Sequence, residues 1–560
     1  MSLRVAAVQL AVTEDVEENL ATVLRMTDEA AATGAKVVVL PEFSNHVSWY
    51  SGREHSASKA LTLDGPWLAA VGAKAKEHAI YLMVNVTLKR EGGRLSGSNV
   101  LFAPEGEILS VSDKQVLMGS ERDHFEGAVD RAPLVETDVA TFGLYSCMDG
   151  VINETPRMLA LDGGTVLLNS INSFALDEAT LHVPVRAVEN KVWIVAANKV
   201  GPLVPEHSIH AVSEKLGVPV ERLHGVGEAQ IVAPDGTVVA IAPTKGEAVV
   251  WADIDVDLAL DKKRKDGTDV FASRRPDLYG PIAEEPKGRQ HGAGAATVEA
   301  VAVTPRAGES IADLLDEALV GAPGLVVLPE LAAHEGGLAT GAVDERLAPE
   351  AIAAKLAGTE TLVVTSVVDG GQHVGLVIGA DGVVGRQVQL HRSERHAGWV
   401  TELGNEVIIV EAPFGRLGVL VGDDNLYPEA YRLVALKDAD VVAAPFTVEA
   451  GVDLDPLLLE RAAENRVNLV AGGRAVVDGD AGVPGGIVVP LSPNFTLWGS
   501  DWERPFDGVI SRPEPIIVDA PLVRATLRPA CATNRFVSKG TDVVDGRPWY
   551  LADSIVRPIA

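Results

Sequence analysis

Three side chains of this 560-residue chain have the chemistry needed to activate a thiol: Glu42, Lys114 and Cys147. A free thiol has a pKa near ~8.5, so at neutral pH it must lose its proton to become a strong nucleophile. A carboxylate can accept that proton, and a fixed ammonium can stabilise first the thiolate and then an oxyanion. Together these residues can build an activated nucleophile. Taken alone, Cys147 would more often be a small residue of the core, since free cysteines are frequently buried.

These residues lie at or near the ends of predicted strands, and the strands indicate the fold class. Glu42 ends the apolar run 37–42, and Cys147 ends the run 143–147. Helical patterns stand between such runs, as at 16–31, where apolar residues recur on one face. This alternation predicts an α/β fold in which helices cover a layered sheet. Further apolar runs of this kind occur at 4–10, 80–86, 165–169 and 192–198.

The chain contains an internal repeat, which predicts two domains of the same fold. Four motifs of the first half return in the same order in the second half, some of them modified. The pairs are VVLPE at 38–42 and 326–330, SER at 120–122 and 393–395, GLYSCMD at 143–149 and GVLVGDD at 418–424, and RAVEN at 186–190 and RAAEN at 461–465.

The glycine-containing segment 285–296 is the expected linker between a first domain at 1–284 and a second at 297–560. In the second copy, Gly422 stands at the cysteine position and Gln387 at the predicted lysine position. A thioester cannot form without a thiol, so we expect the second domain to be non-catalytic. A regulatory ligand site in the degraded copy is the alternative.

Further motifs accompany the thiol, the carboxylate and the ammonium in order along the chain. They are Pro41 and Glu42, Lys114, Glu121, Cys147 with Asp149, Glu154 and Arg157, RAVEN at 186–190, NKVG at 198–201, PDG at 234–236 and RRPDLY at 274–279. Each motif alone is a weak signal, but the ordered set is specific. The chain resembles the nitrilase, or carbon–nitrogen hydrolase, superfamily over nearly its whole length, and does so twice.

The resemblance implies a fold and a catalytic set. The fold is two tandem αββα sandwiches, which we expect to pair within the chain as a pseudo-dimer. Cys147 is then the nucleophile, with Glu42 as general base and Lys114 as the fixed cation. Glu121 matches the second glutamate of the family, which helps to hold the substrate, and Glu126 is the substitute candidate.

The resemblance also indicates residues that bind substrate. The backbone N–H near Met148 would help Lys114 to bind the oxyanion. The segment 169–174 should line the acyl pocket, with Asn172 as the expected contact. His46 follows Glu42 closely and either walls the pocket or serves packing. The Met148-Asp149 pair after the cysteine favours amidase and carbamoyl-hydrolase branches over the nitrile-hydrolysing branch.

The expected function is therefore hydrolysis of a non-peptide C–N bond in a small amide or N-carbamoyl compound, with release of ammonia or an amine. Three alternatives remain. An acyltransferase would pass the same thioester to an amine instead of water. A nitrile could be the substrate. A binding or scaffold protein is what the second domain alone would indicate.

Composition limits the partners of the chain. The formal net charge of −30 argues against binding to nucleic acids or to anionic membrane surfaces. Two cysteines cannot form a disulfide framework, which indicates a reducing cytoplasm. The N-terminal apolar run is too short for a signal peptide or anchor. His207 and His210 form an HxxH pair for which no further ligand is evident, so we expect no metal and no cofactor. Further homo-oligomerisation stays open.

Overall fold

The computed structural model describes residues 2–475, 483–495 and 505–559. In the first half of the chain, meaning the residues before 285, strands alternate with helices as the apolar runs predict. The helix predicted from residue 16 begins after Asp15, whose side chain accepts hydrogen bonds from the N–H groups of Glu17 and Glu18. The helices are α1 (Val16–Ala32), α2 (Arg53–Lys59), α3 (Pro66–His78), α4 (Met148–Val151), α5 (Glu154–Leu161), α6 (Val183–Asn190) and α7 (Glu206–Leu216). The strands are β1 (Ser2–Ala11), β2 (Val37–Val39), β3 (Tyr81–Lys89), β4 (Leu95–Phe102), β5 (Ile108–Asp113), β6 (Leu134–Glu136), β7 (Thr141–Ser146), β8 (Val166–Ser170), β9 (Trp193–Ala197), β10 (Lys199–Pro202), β11 (His224–Val226), β12 (Gln230–Val232), β13 (Val238–Ile241) and β14 (Ala248–Asp255).

Two sheets of the first half pack face to face. One has the order β11-β10-β1-β2-β3-β4-β5, with β14 also paired to β1, and the other has the order β13-β12-β9-β8-β7-β6. Val5 and Val37 of the first sheet share a buried core with Leu144 and Val166 of the second. Helices α1 and α3 cover the outer face of the first sheet, and α5 and α6 cover that of the second. The predicted αββα sandwich is thereby confirmed.

The second half, meaning the residues after 296, repeats this architecture. Its sheets have the orders β19-β18-β17-β16-β15-β25 and β20-β21-β22-β23-β24, and within the described residues neither sheet shares a strand with the first half. No helix of the described segments is long and apolar enough to cross a membrane. The helices are α8 (Ile311–Ala318), α9 (Pro349–Lys355), α10 (Pro428–Leu436), α11 (Leu459–Asn465) and α12 (Asp553–Val556). The strands are β15 (Val298–Val303), β16 (Leu325–Val327), β17 (Leu362–Asp369), β18 (Gln372–Gly379), β19 (Gly382–Val388), β20 (Ile409–Ala412), β21 (Gly415–Val419), β22 (Val441–Val448), β23 (Asn468–Ala475), β24 (Ile487–Val489), β25 (Leu522–Leu527), β26 (Phe536–Ser538) and β27 (Thr541–Asp542).

Helices α5 and α6 pack against α10 and α11 of the second half through buried ion pairs. Arg157 Nε lies 2.9 Å from Glu429 Oε1, and Arg432 Nε lies 2.7 Å from Glu154 Oε1. Each pair is the counterpart of the other under the sequence repeat, as in a contact between two copies related by a twofold axis. Two more pairs follow the same rule: Arg186 with Glu464 and Arg461 with Glu189.

The end of each half also packs onto the other half. Thr268 Oγ1 accepts a hydrogen bond from the N–H of Glu394 at 2.8 Å. In the second half, Thr541 Oγ1 accepts one from the N–H of Gly119 at 3.1 Å. Both threonines belong to a Gly-Thr-Asp-Val run, a further repeat that the predicted motifs did not include.

Candidate active site

Lys114 joins two glutamates inside the first half. It follows β5, and its Nζ lies 2.9 Å from Glu42 Oε1 and 2.9 Å from Glu121 Oε1. Burial raises the pKa of Glu42 to about 7, because Lys114 offsets only part of the loss of hydration. Burial disfavours the ammonium of Lys114, but Glu121 and Glu42 hold the pKa of this lysine well above its usual value. Three of the predicted catalytic residues therefore form one charged cluster.

Of the two candidates for the second glutamate, Glu121 is the one that contacts Lys114. Its other oxygen accepts a hydrogen bond from the N–H of Met118 at 2.8 Å, which fixes the orientation of the carboxylate. Glu126 instead pairs with Arg53 at 2.7 Å, and its side chain is 39% exposed.

Cys147 stands at a sharp turn between β7 and α4. Its φ of 45° lies in the left-handed region, which is strained for a residue with a side chain. The N–H of Cys147 donates to Ser170 O at 2.9 Å, and the N–H of Glu42 donates to the next carbonyl, Ile171 O, at 3.2 Å. The end of β8 thus holds the thiol and the predicted base side by side. Burial and Glu42 raise the pKa of the Cys147 thiol well above its usual value, against the opposing effect of Lys114, so the resting thiol needs a base.

Asp149 ties the cysteine turn to the segment that follows Lys114. Its Oδ1 accepts hydrogen bonds from the N–H groups of Gln115 at 3.1 Å and Val116 at 2.7 Å. Because Asp149 lies two residues after Cys147, these bonds bring the thiol to the loop that carries the ammonium.

The predicted substrate contacts differ in their environment. Met148 is the first residue of α4, a position at which the backbone N–H has no acceptor within the helix. His46 is fully buried, and its Nδ1 donates to Val47 O. Burial lowers the pKa of His46 to about 4, so the ring is neutral and Nε2 is an acceptor without a partner in the described segments. Asn172 Nδ2 donates to Ser48 Oγ at 2.8 Å, and Asn172 Oδ1 has no hydrogen-bond partner among the described residues.

Two charged residues beside the thiol were not among the predicted site residues. Glu178 Oε1 lies 3.9 Å from Cys147 Sγ, and burial raises the pKa of Glu178 to about 7. Lys199 is 1% exposed, and burial lowers its pKa to about 7, although Glu42 and Cys147 oppose this. Lys199 belongs to the NKVG motif, which indicates the family but does not by itself indicate a function for this lysine. The approach of Glu178 depends on tertiary packing and has no sequence signal.

The C-terminal end of the chain braces the loop before Glu121. Thr541 Oγ1 accepts a hydrogen bond from the N–H of Gly119, and its hydroxyl also donates one to Leu117 O at 2.9 Å. A Cβ at Gly119 would lie 2.6 Å from Ser538 Oγ, so only glycine fits this close approach. A residue of the second half thus fixes the loop that holds the predicted second glutamate.

The corresponding turn of the second half has no room for a thiol. Gly422 has a φ of 53°, close to that of Cys147, and a Cβ there would lie 2.6 Å from Glu330 Oε1. The other oxygen of Glu330 pairs with Arg395 Nη1 at 2.7 Å. An arginine from the following loop therefore takes the place of the ammonium.

The prediction that Gln387 occupies the lysine position is wrong, because that position holds Gln389. Asp424 accepts hydrogen bonds from the N–H groups of the two residues after Gln389. In the first half, Asp149 accepts from the two residues after Lys114. The second copy is shorter on both sides of Gln389, by 13 residues between Glu330 and Gln389 and by two between Gln389 and Ser393, and the sequence motifs do not locate the shorter deletion.

Among the described residues, Glu330, His373 and His396 are close enough to share a metal ion. His373, however, uses both ring nitrogens: Nδ1 lies 2.9 Å from Gln389 Oε1, and Nε2 lies 2.9 Å from Ser366 Oγ. A metal ion on His373 would have to displace one of these partners. The cluster is therefore better described as a hydrogen-bonded network that fills the space corresponding to the candidate active site of the first half.

The family of the first half follows from comparison with known proteins. The carbon–nitrogen hydrolase family model matches residues 4–263. The first half is a carbon–nitrogen hydrolase domain. The chain is 27% identical to a nitrilase of Pyrococcus abyssi, over 47% of this chain and 93% of that protein. It is 28% identical to an N-carbamoylputrescine amidase of Solanum lycopersicum, over 49% of this chain and 93% of that protein. An amidase structure from Nesterenkonia sp. aligns at a TM-score of 0.39 and 20% identity, over 47% of this chain and 93% of that one.

The family model and the sequence relatives confirm the resemblance of the first half to the nitrilase superfamily. The protein is a hydrolase of carbon–nitrogen bonds, and its carbon–nitrogen hydrolase domain contains all four residues predicted to be catalytic.

Proposed function

We propose that the protein hydrolyses a small amide or N-carbamoyl compound through a thioester on Cys147. The observation that carries this proposal is the cluster in which Lys114 Nζ lies 2.9 Å from both Glu42 and Glu121, beside a buried thiol on a strained turn. In such a cluster a carboxylate can accept and return a proton while the ammonium keeps a fixed positive charge near the reacting carbon.

In the first stage, Glu42 accepts the proton of the Cys147 thiol as Sγ attacks the carbonyl carbon of the substrate. The carbonyl oxygen becomes an oxyanion, which the ammonium of Lys114 and the N–H of Met148 bind. Collapse of this intermediate breaks the C–N bond. The leaving nitrogen takes the proton from Glu42 and departs as ammonia or an amine, which leaves a thioester.

In the second stage, a water molecule gives a proton to Glu42 and attacks the thioester carbon. The tetrahedral intermediate collapses, the C–S bond breaks, and the proton returns from Glu42 to the thiolate. The acid and the free enzyme are the products. Glu121 holds Lys114 in place through both stages.

Ammonia release tests this function. We expect purified protein to release ammonia from small primary amides or N-carbamoyl amines and to show little activity on the matching nitriles, since nitrile hydrolysis is the alternative substrate class. Product analysis with and without added amine separates hydrolysis from acyl transfer: an acid product indicates water as the acceptor, and a substituted amide indicates transfer. Turnover of nitriles alone, or of no compound in the panel, would contradict the proposal.

For the second half, we propose a non-catalytic domain at 297–560 that pairs with the first domain at 1–284 as an intramolecular pseudo-dimer. The reciprocal ion pairs of Arg157 with Glu429 and Arg432 with Glu154 support this arrangement. Loss of one partner would leave a buried charge, which typically costs about 3–5 kcal/mol. The second half would thus supply the surface that a partner subunit supplies in a homodimer.

The exchanged threonines provide a matched test of this arrangement. We expect Thr541→Val to lower turnover by about tenfold, since the buried N–H of Gly119 loses its acceptor at a cost of about 1–3 kcal/mol. Thr268→Val removes the equivalent hydrogen bond, which the N–H of Glu394 in the second half donates to Thr268. We expect this variant to have a lower midpoint of thermal unfolding but unchanged turnover. Equal losses of turnover in both variants would contradict a purely structural second half.

A further inference from the structure

Lys199 has a buried amino group without a hydrogen-bond acceptor among the described residues, and this burial lowers its pKa to about 7, so that charged and neutral forms coexist near neutral pH. Its side chain is 1% exposed, and within the described segments no oxygen accepts a hydrogen bond from its Nζ. An ammonium has three N–H donors, and their burial without acceptors is costly. Buried polar groups left unpaired in this way often mark a place for a ligand.

Lys199 lies close to Lys114 and to the segment expected to line the acyl pocket. Its Nζ lies 5.9 Å from the centre of the Phe43 ring, and Lys114 Nζ lies 5.8 Å from the same centre. The neighbouring Asn198 accepts a hydrogen bond from the N–H of Ser173 at 3.0 Å, in the segment expected to line the acyl pocket. Lys199 therefore stands beside that pocket, with Phe43 adjoining both lysines.

The second half has an arginine at the position that corresponds to Lys199. Counted from the RAVEN and RAAEN motifs, Arg474 occupies the position of Lys199. Arg474 Nη1 donates a hydrogen bond to the backbone carbonyl of Glu330 at 2.8 Å, so this arginine has an acceptor within the protein. The half that has lost its thiol satisfies this cation internally, whereas the half that has kept the thiol leaves it unpaired.

We propose that Lys199 binds the carboxylate of the substrate, so that the enzyme acts on amides or N-carbamoyl compounds that carry a second, anionic end. This inference rests on the proposed hydrolysis at Cys147. A carboxylate within reach of Nζ would form a charge-assisted hydrogen bond in a site with little water. Glu178 also lies near the thiol, and one of its oxygens has no hydrogen-bond partner among the described residues, so an amide with an ammonium group tests whether Glu178 selects a cationic substrate instead.

Three amides that differ only in their distal group test the proposal. Succinamate carries a carboxylate, 4-oxopentanamide a neutral ketone and 4-aminobutanamide an ammonium. We expect the wild-type enzyme to favour succinamate over the other two by about 100-fold in kcat/KM. In Lys199→Met, we expect the preference for succinamate over 4-oxopentanamide in kcat/KM to fall by about 100-fold, mainly through the KM for succinamate. The neutral amide reports any change in the chemistry itself, because Lys199 also interacts with Glu42 and Cys147. The control Arg474→Met should preserve the wild-type preference.

Binding gives a readout that is independent of turnover. In the Cys147→Ala background, titration calorimetry should show that Lys199→Met weakens the binding of succinamate by a similar factor and leaves 4-oxopentanamide unaffected. Equal losses for both amides in Lys199→Met would assign the lysine to the chemistry instead and overturn the proposal. A wild-type preference for the neutral or cationic amide would also overturn it while the proposed hydrolysis stands. Absence of turnover with every amide would instead contradict the proposed function itself.

Discussion

The Cys147→Ala variant is expected to lose turnover by about 10⁴-fold or more, because no other group can form the thioester. The fold should survive the change. Cys147 is 4% exposed, and its replacement removes a single sulfur atom from the buried turn. The backbone hydrogen bond from Cys147 to Ser170 is unaffected by the side chain. Steady-state ammonia release and the midpoint of thermal unfolding check the two parts of this expectation.

Cys531 provides the matched control, since it is the only other cysteine of the chain. The Cys531→Ala variant should retain turnover. Iodoacetamide should modify Cys147 in step with loss of activity, and substrate should slow that modification. Retention of substantial activity by Cys147→Ala, or inactivation that follows modification of Cys531, would refute the assignment of the nucleophile.

Glu42→Gln and Lys114→Met are each expected to lower kcat by about 10³-fold, the scale on which a general base or an oxyanion donor acts. Glu42→Gln keeps the shape of the side chain but removes the base that accepts the thiol proton. Lys114→Met keeps the side-chain length but removes the charge that lies 2.9 Å from both glutamates. Rapid-quench and steady-state measurements of kcat at fixed pH would quantify each loss.

The double variant reports whether the two residues act as one unit. We expect it to lose little more activity than either single variant, because removal of one member already disables the proton transfer. Losses that multiply would show that Glu42 and Lys114 act independently. Since Lys114→Met leaves two buried carboxylates without their cation, thermal unfolding of each variant must accompany the kinetics. A variant that unfolds at the assay temperature does not report on catalysis. Glu126→Gln, at a partly exposed glutamate that pairs with Arg53, shows the loss of activity to expect from a glutamate substitution outside the charged cluster.

The sequence by itself determined the fold class and the main catalytic candidates. Strand and helix periodicity depend on local spacing, so the helix at Val16–Ala32 and the strand that ends before Cys147 could be predicted. The ordered motifs also indicated Glu42, Lys114 and Glu121, which the structure brings into contact. Periodicity and motif order lie in the residue types themselves, so they can be read without coordinates.

Only the tertiary structure decided the features that join distant parts of the chain. The approach of Glu178 to the thiol and the unpaired state of Lys199 depend on burial and on distances between elements, which spacing does not encode. The assignment of Gln389 in place of Gln387 required the hydrogen bonds of Asp424, since a short deletion can be placed anywhere within a weak repeat. The brace from Thr541 to Gly119 joins the C-terminal part of the chain to a loop of the first half, and such a contact exists only after both halves have folded and packed.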